Sequence, residues 1–269
     1  MSARSPQTIV IRPRSRGIFT FVPDTLLLTR RHLLRTARTP QIVVLSAITP
    51  IMFVLLFRYV FGGALHVPGY ASYVDYLMPG IIVQTALFGG SSAAVGVADE
   101  LSAGTTDRFR SLPTNRAAIL TSRTLADLVR LTYTMALVVA VGLLVGFRVH
   151  TSAPDAAAAF GIAVLFGYAS TWLFTLLGLT IRNVEGATLA GFLLTFPLVF
   201  ASSAFTSTAT MPGWLRAFAD AQPVTAVANA LRALLHGGAA EPAVLHALQW
   251  SAGILVAAVT LATWRFRKG

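Results

Sequence analysis

Covalent, acid–base and metal chemistry each need particular side chains at particular spacings, and this chain offers few of them. A phosphate-gripping loop of the form G-x-x-x-x-G-K-[ST] needs a lysine that reaches the phosphates. Among 21 basic residues there is one lysine, Lys268, followed only by Gly269. Cysteine is absent, which removes thiolate nucleophiles, thiolate metal sites and disulfides. The five histidines, His32, His66, His150, His236 and His246, fall in loops or at the ends of apolar runs, and their spacing matches no metal site. No nucleophile–base set stands out within the apolar runs. The expectation is a chain with no catalytic, metal or cofactor site of its own.

The elements that surround these residues explain why. The composition is 55% hydrophobic and 12% charged, with a mean hydropathy of +0.70. Soluble domains carry roughly 25% charged residues, so the class is an all-α polytopic membrane protein. Six stretches approach the ~20 apolar residues that a spanning helix needs. They run over 41–61, 77–98, 128–147, 155–181, 186–205 and 244–264, with Pro50 inside the first and Pro197 inside the fifth. This divides the chain into a tail with an interfacial helix (1–40), a six-span domain (41–264) and a short end (265–269).

The net charge of +11 raises nucleic acid as a partner, but the arginines flank the apolar runs instead of forming a basic domain. They are read as topology signals. Seventeen of the 21 basic residues fall before the first span, between spans two and three, after span four or after span six. Arg58, Arg148, Arg216 and Arg232 fall on the other side. Positive loops stay in the cytoplasm, which places both termini inside. No Asp, Glu, Lys or Arg is expected in the middle of a span, which argues against an ion-coupled carrier. No signal peptide is expected, since the first forty residues are polar and arginine-rich.

Three segments carry more than topology. Residues 23–40 read as a helix capped at Asp24 or Thr25 and stopped at Pro40. Leu26, Leu27, Leu33, Leu34 and Ala37 share one face, with Arg31, Arg35 and Arg38 opposite. Such a helix suits the cytoplasmic interface of a bilayer; the alternative is an orientation-setting tail. The loop 99–127 contains Asp107, Arg108, Phe109, Arg110, Ser111, Leu112 and Pro113, which alternate charged and apolar groups up to a proline. Thr114 or Asn115 then caps a helix from Arg116. Exposed aromatic and arginine groups suit a protein contact, the alternative being that Phe109 and Leu112 dip into the membrane interface. Residues 207–245 hold two short helices, one starting at Pro212-Gly213-Trp214 with Phe218, the other at Pro223 and ending at Gly237-Gly238. They re-enter the membrane as an outer gate (Trp214, Phe218, Pro223) or rest in the outer interface.

Several strings then resemble a known family. YVDYLMPGIIVQTALFGG (73–90), DRFRSLPTNRAAILTSRTLADLVR (107–130), VGLLVGFR (141–148) and MPGWLRAFADAQPVTAVANALRALLHGG (211–238) resemble the permeases of ABC type-2 exporters, in their daunorubicin-resistance-like branch. Relatives often carry Asn before the proline where this chain reads Asp220-Ala221-Gln222-Pro223. The resemblance implies a six-span subunit paired with a second permease, identical or paralogous, and with two ABC ATPase subunits that hold ATP and magnesium. It implies that Asp107, Arg108, Phe109, Arg110, Leu112 and Pro113 form a coupling helix on the ATPase, with the amphipathic helix beside it.

The resulting expectation is a multi-pass exporter subunit of a bacterial cytoplasmic membrane, in contact with lipid and not with nucleic acid. Its cargo is a drug-like or lipid amphiphile, because the spans offer only groups such as Gln84, Ser91, Ser92, Thr175 and Thr195 for polarity. Gln84, Ser91, Ser92 and Thr195 are the candidate path residues. A membrane sensor or scaffold, and a carrier independent of ATP, remain the alternatives.

Overall fold

The computed structural model describes residues 18–37, 40–62, 67, 69–70, 72–103 and 116–268. The described residues form helices and no strand. α1 is Ile18–Ala37, and α2 is Pro40–Leu56, which runs on as a π-helix over Phe57–Phe61. The long elements follow as α3 (Tyr73–Ser102), α4 (Arg116–Leu144), α5 (Ala153–Ile181) and α6 (Val184–Phe200). Two short helices, α7 (Gly213–Ala221) and α8 (Pro223–His236), precede α9 (Ala240–Lys268). Four helices are long and apolar enough to cross a membrane: Tyr73–Ser102, Ala118–Leu144, Ala153–Ile181 and Ala240–Phe266. The other two apolar helices, Ser46–Phe61 and Val184–Phe200, are shorter.

Local chemistry sets the helix ends. Ser72 accepts from the backbone N–H of Val74 to cap α3, and Ser152 accepts from Asp155 N–H to cap α5, with Pro154 in its first turn. α5 ends where Arg182 turns left-handed at φ 62°, and Asn183 Oδ1 caps α6 by accepting from Gly186 N–H at 2.6 Å. A two-residue link therefore reverses the chain between two apolar helices. The expected fifth span to 205 stops earlier: α6 ends at Phe200 and a run of turns occupies 201–206.

The N-terminal helix does not start at Pro23; it already runs from Ile18, with Pro23 inside it. Proline's φ suits a helix, at the cost of one backbone bond and crowding of the carbonyl four residues before it. The helix expected from Arg116 runs unbroken into the third apolar run, so Arg123, Asp127 and Arg130 are helical near its start. The capping residues expected before Arg116 lie outside the described residues.

α3 is the spine. It packs against α2, α4, α5, α6 and α8, and its Val74, Leu77, Met78, Ile81 and Val83 are fully buried with Phe166 and Phe174 of α5. Close approach of α3 and α5 needs small residues. A Cβ on Gly178 would stand 2.4 Å from the carbonyl oxygen of Ala94. Gly142 of α4 likewise faces Met78 of α3. At one end of the bundle Val97, Leu120, Leu179 and Phe266 cluster, and α1 packs on α4 there. α1, through Leu28 and His32, and the end of α9 thus share one end. The other end holds Tyr73, Phe147, Phe205 and α8.

Gly178→Val is expected to destabilise the detergent-solubilised protein by about 1–3 kcal/mol, the usual cost of overpacking. Gly161, with nothing within 4 Å of an added Cβ, is the control: Gly161→Ala is expected to hold or slightly raise the thermal midpoint, since alanine favours the helix.

Candidate functional site

Between α2, α3 and α4 lies a cavity of about 200 Å³, lined by Ser46, Thr49, Pro50, Gln84, Thr85, Phe88, Gly89, Ser92, Arg130, Leu131 and Thr134. Its wall is mostly apolar, and two of its hydroxyls are spent locally. Thr85 donates to Ile81 O at 2.7 Å and Thr134 to Arg130 O at 3.0 Å. Gln84 is only 2% exposed, and its side-chain oxygen has no hydrogen-bond partner among the described residues. Arg130 Nη2 donates to Ser92 Oγ at 2.7 Å and to Asp127 Oδ1 at 3.3 Å. Arg123 pairs with Glu100 and stands 4.0 Å from Asp127 Oδ2. Two arginines and two carboxylates thus form one chain of alternating charge along α4 and the end of α3.

Of the expected path residues, the structure brings Gln84 and Ser92 together in this cavity. Ser91 turns toward α6 instead, where a Cβ on Gly191 would meet its Cβ at 3.6 Å. Thr195 is buried on α6, away from the cavity, with its hydroxyl unpartnered among the described residues. Arg130 lies in the cavity wall toward the Arg116 end of α4, beside Asp127 and Arg123.

The coupling residues Asp107, Arg108, Phe109, Arg110, Leu112 and Pro113 lie outside the described residues, as does Arg38. Arg35 belongs to α1, and Arg31 is exposed on it. α1 presents three sectors. Thr25, Leu28, Thr29 and His32 turn inward, and Thr29 Oγ1 approaches Ser122 O at 3.3 Å. Val22, Leu26, Leu27 and Leu34 stay exposed. Burial pushes the His32 imidazole below its ordinary value, against the opposing pull of Glu100.

At the opposite end the expected gate residues separate. Trp214 and Phe218 are exposed on α7. Pro223 opens α8, which is buried along most of its length against α3, α5 and α9. The dominant residue here is one that the sequence analysis assigned no role beyond topology: Arg232, 4% exposed. Its Nε donates to Tyr76 O at 3.1 Å, and its Nη2 to Ser203 O at 2.6 Å and Ala204 O at 3.2 Å. Nη1 donates to Ser203 Oγ and Asn229 Oδ1, both at 3.0 Å. The guanidinium carbon lies 3.8 Å from the centroid of the Tyr76 ring. Tyr76 OH and Tyr73 OH donate to Ser203 O and Phe205 O, each at 2.9 Å. One detectable signal existed: Arg232 stands seven residues after Thr225 and three before Leu235, in line with the buried face of α8. Nearby, His150 and His236 face each other with Nδ1 atoms 3.2 Å apart, and burial holds His236 below its ordinary value.

A model of the ABC-2 type transporter family matches residues 23–236. The chain belongs to that family. The match covers α2 to α8 and therefore both the cavity and the Arg232 cluster of this ABC-2 chain. It is 31% identical over 220 residues to the daunorubicin resistance ABC transporter permease protein DrrB1 of Streptomyces coeruleorubidus, spanning 82% of this chain and 77% of that one. It is 30% identical over 246 residues to the probable doxorubicin resistance ABC transporter permease protein DrrC of Mycobacterium tuberculosis, spanning 90% and 88%.

Arg232→Met is expected to cost about 3–5 kcal/mol, the scale of breaking a buried charged network. Gel filtration after a heating series measures it, and Arg232→Lys is expected to recover little, since one ammonium cannot reach three chain segments. The docking of α1 is expected to depend on pH. With its value lowered on docking, His32 binds fewer protons docked than free, so docking is favoured above its ordinary value of about 6.5 and weakens as the pH falls through it. Tryptic cleavage in α1 should rise from pH 7.5 to 5.5 and lose that dependence in His32→Asn.

Proposed function

We propose that this chain is the transmembrane permease of an ABC exporter that moves a hydrophobic or amphiphilic molecule out of a bacterial cell. ATP and magnesium sit on two separate ATPase subunits, and a second permease, identical or paralogous, completes the complex. The observation that carries this reading is the family match over residues 23–236, together with relatives named as drug-resistance permeases over most of the chain. The apolar cavity with a few polar groups suits the same kind of cargo.

A six-span arrangement with both termini in the cytoplasm accords with the fold. α2 and its π-helical extension make a continuous run over 40–61, about 33 Å long at 1.5 Å per residue. α6, at 17 residues, spans about 25 Å before its turns meet α8. The ends of α3, α5 and α9 and the start of α4 gather at one end of the bundle, as alternating spans require. Assigning that end to the cytoplasm follows the arginine bias. The exposed Val22, Leu26, Leu27 and Leu34 of α1 then face acyl chains, with arginines toward headgroups.

The mechanism follows from what the connection 103–115 joins. It joins the end of α3 to the start of α4, the two helices that wall the cavity with α2. ATP binding on the partner would shift the loop through Phe109 and Arg110. Helices transmit such a shift as rigid bodies, so the displacement reaches Gln84, Ser92 and Arg130. α8 reaches into the outer end as far as the level of Ile82, since Leu231 and Ile82 line one small cavity. It would then close the exit side, with Trp214 and Phe218 in the outer interface.

Phe109→Ala and Arg110→Ala, each in the assembled complex, are expected to lower daunorubicin-stimulated ATP hydrolysis at least tenfold while the unstimulated rate of the purified ATPase stays the same. Full stimulation in both variants would contradict the coupling role.

A further inference from the structure

The cavity between α2, α3 and α4 holds an unmet acceptor and spare donors. Gln84 Oε1 is an acceptor without a donor among the described residues, on a side chain that is 2% exposed. A buried acceptor in that condition costs free energy until something donates to it. Arg130 is the converse. Its side chain is 14% exposed, and all of its bonds run through one terminal nitrogen, Nη2, to Ser92 Oγ, Asp127 Oδ1 and, at 3.5 Å, Gly89 O. A guanidinium has five N–H donors, so those on Nε and Nη1 have no acceptor among the described residues.

We propose that this cavity is a cargo-binding subsite selecting amphiphiles that present a carbonyl or phosphoryl oxygen to Arg130 and a hydroxyl or amide N–H to Gln84. The inference rests on the export reading and adds the chemistry of recognition. Three observations carry it. Arg130 lines an otherwise mostly apolar cavity wall with its side chain 14% exposed, where a guanidinium is costly unless its donors are used. Asp127 balances its charge at 3.3 Å, so the site asks for an acceptor oxygen and not for a net anion. The remaining wall, with Pro50, Phe88 and Leu131, is apolar. At about 200 Å³ the cavity exceeds the roughly 150 Å³ that accommodates a benzene ring, so it admits a ring system at one end of a larger molecule. A polyhydroxylated anthraquinone such as daunorubicin carries both kinds of group on such rings. A phospholipid headgroup supplies the phosphoryl oxygen alone.

The absence of cysteine makes the test specific. Thr49→Cys places a single thiol on the cavity wall, and its labelling by a fluorescent maleimide is followed on this chain in the assembled complex. In dodecyl maltoside, which has no phosphoryl group, daunorubicin is expected to slow labelling saturably. Arg130→Lys, which keeps the charge opposite Asp127, and Gln84→Leu, which removes the acceptor, should each raise the half-protecting concentration about tenfold. Slowing that needs phospholipid nanodiscs and no drug, and that weakens in Arg130→Lys, assigns the acceptor oxygen to a lipid headgroup and supports the same site. No slowing by drug or lipid, or the same protection in both variants, overturns the proposal. The export reading fails separately, if protection is intact but ATP drives no accumulation of daunorubicin in inside-out vesicles.

Discussion

Wherever a helix ends in apolar surroundings, its last carbonyl groups need donors, because neither lipid nor apolar side chains can supply them. The end of this bundle that holds α8 meets that need with arginine. Arg232 ties the turns after α6 to the first turns of α3 through carbonyls of Tyr76, Ser203 and Ala204. Arg58 Nε donates to Val145 O at 3.2 Å, and Arg148 Nη1 approaches Leu143 O at 3.5 Å, both near the end of α4. Arg58 and Arg148 therefore serve the end of α4, and Arg232 the turns after α6. Because Arg232, on α8, holds the start of α3 and the turns after α6 at once, the arrangement of this half of the bundle depends on it.

α3 carries the consequences along its length. Its start is fixed by the Arg232 cluster, with Asp75 accepting from Arg148 N–H at 3.0 Å. Its middle packs closely on α5 through Gly90 and Ala94 and opens on the other side into the cavity. Its end, with Glu100 bonded to Arg123, leads into the loop proposed to meet the ATPase. A helix anchored at the outer end and pushed at the inner end would pivot instead of sliding, and the cavity lies between the two points. In that account the alternating charges from Glu100 to Arg130 keep α3 and α4 moving together on the inner side.

Much of the fold was legible in the sequence, because apolar length and proline and glycine positions report directly on helices. The six apolar runs each correspond to a helix, Pro223 opens α8, and Gly237-Gly238 ends it at φ values of 88° and 125°. What stayed hidden concerns depth and partners. Counting arginines assigns a side of the membrane but not a neighbour, so nothing in the sequence places Arg130 beside Gln84 and Ser92 in one cavity. Arg232 is hidden for the same reason: its acceptors are carbonyls 28 and 156 residues away, which no local pattern reveals. The start of α1 is hidden because Pro23 carries the local signature of a boundary, yet lies inside the helix. Of the path residues, Gln84 and Ser92 converge because they lie eight residues apart on one helix, whereas Ser91 points a step around it toward α6.

The central claim is that this chain exports an amphiphile only when a separate ATPase drives it. Inside-out proteoliposomes containing the chain alone, or the chain with its ATPase, test it through ATP-dependent uptake of daunorubicin. The account predicts uptake with both components and ATP, and none with either omitted. Uptake by the chain alone under an ion gradient, or ATP hydrolysis by the full complex without uptake of any amphiphile supplied, would contradict it.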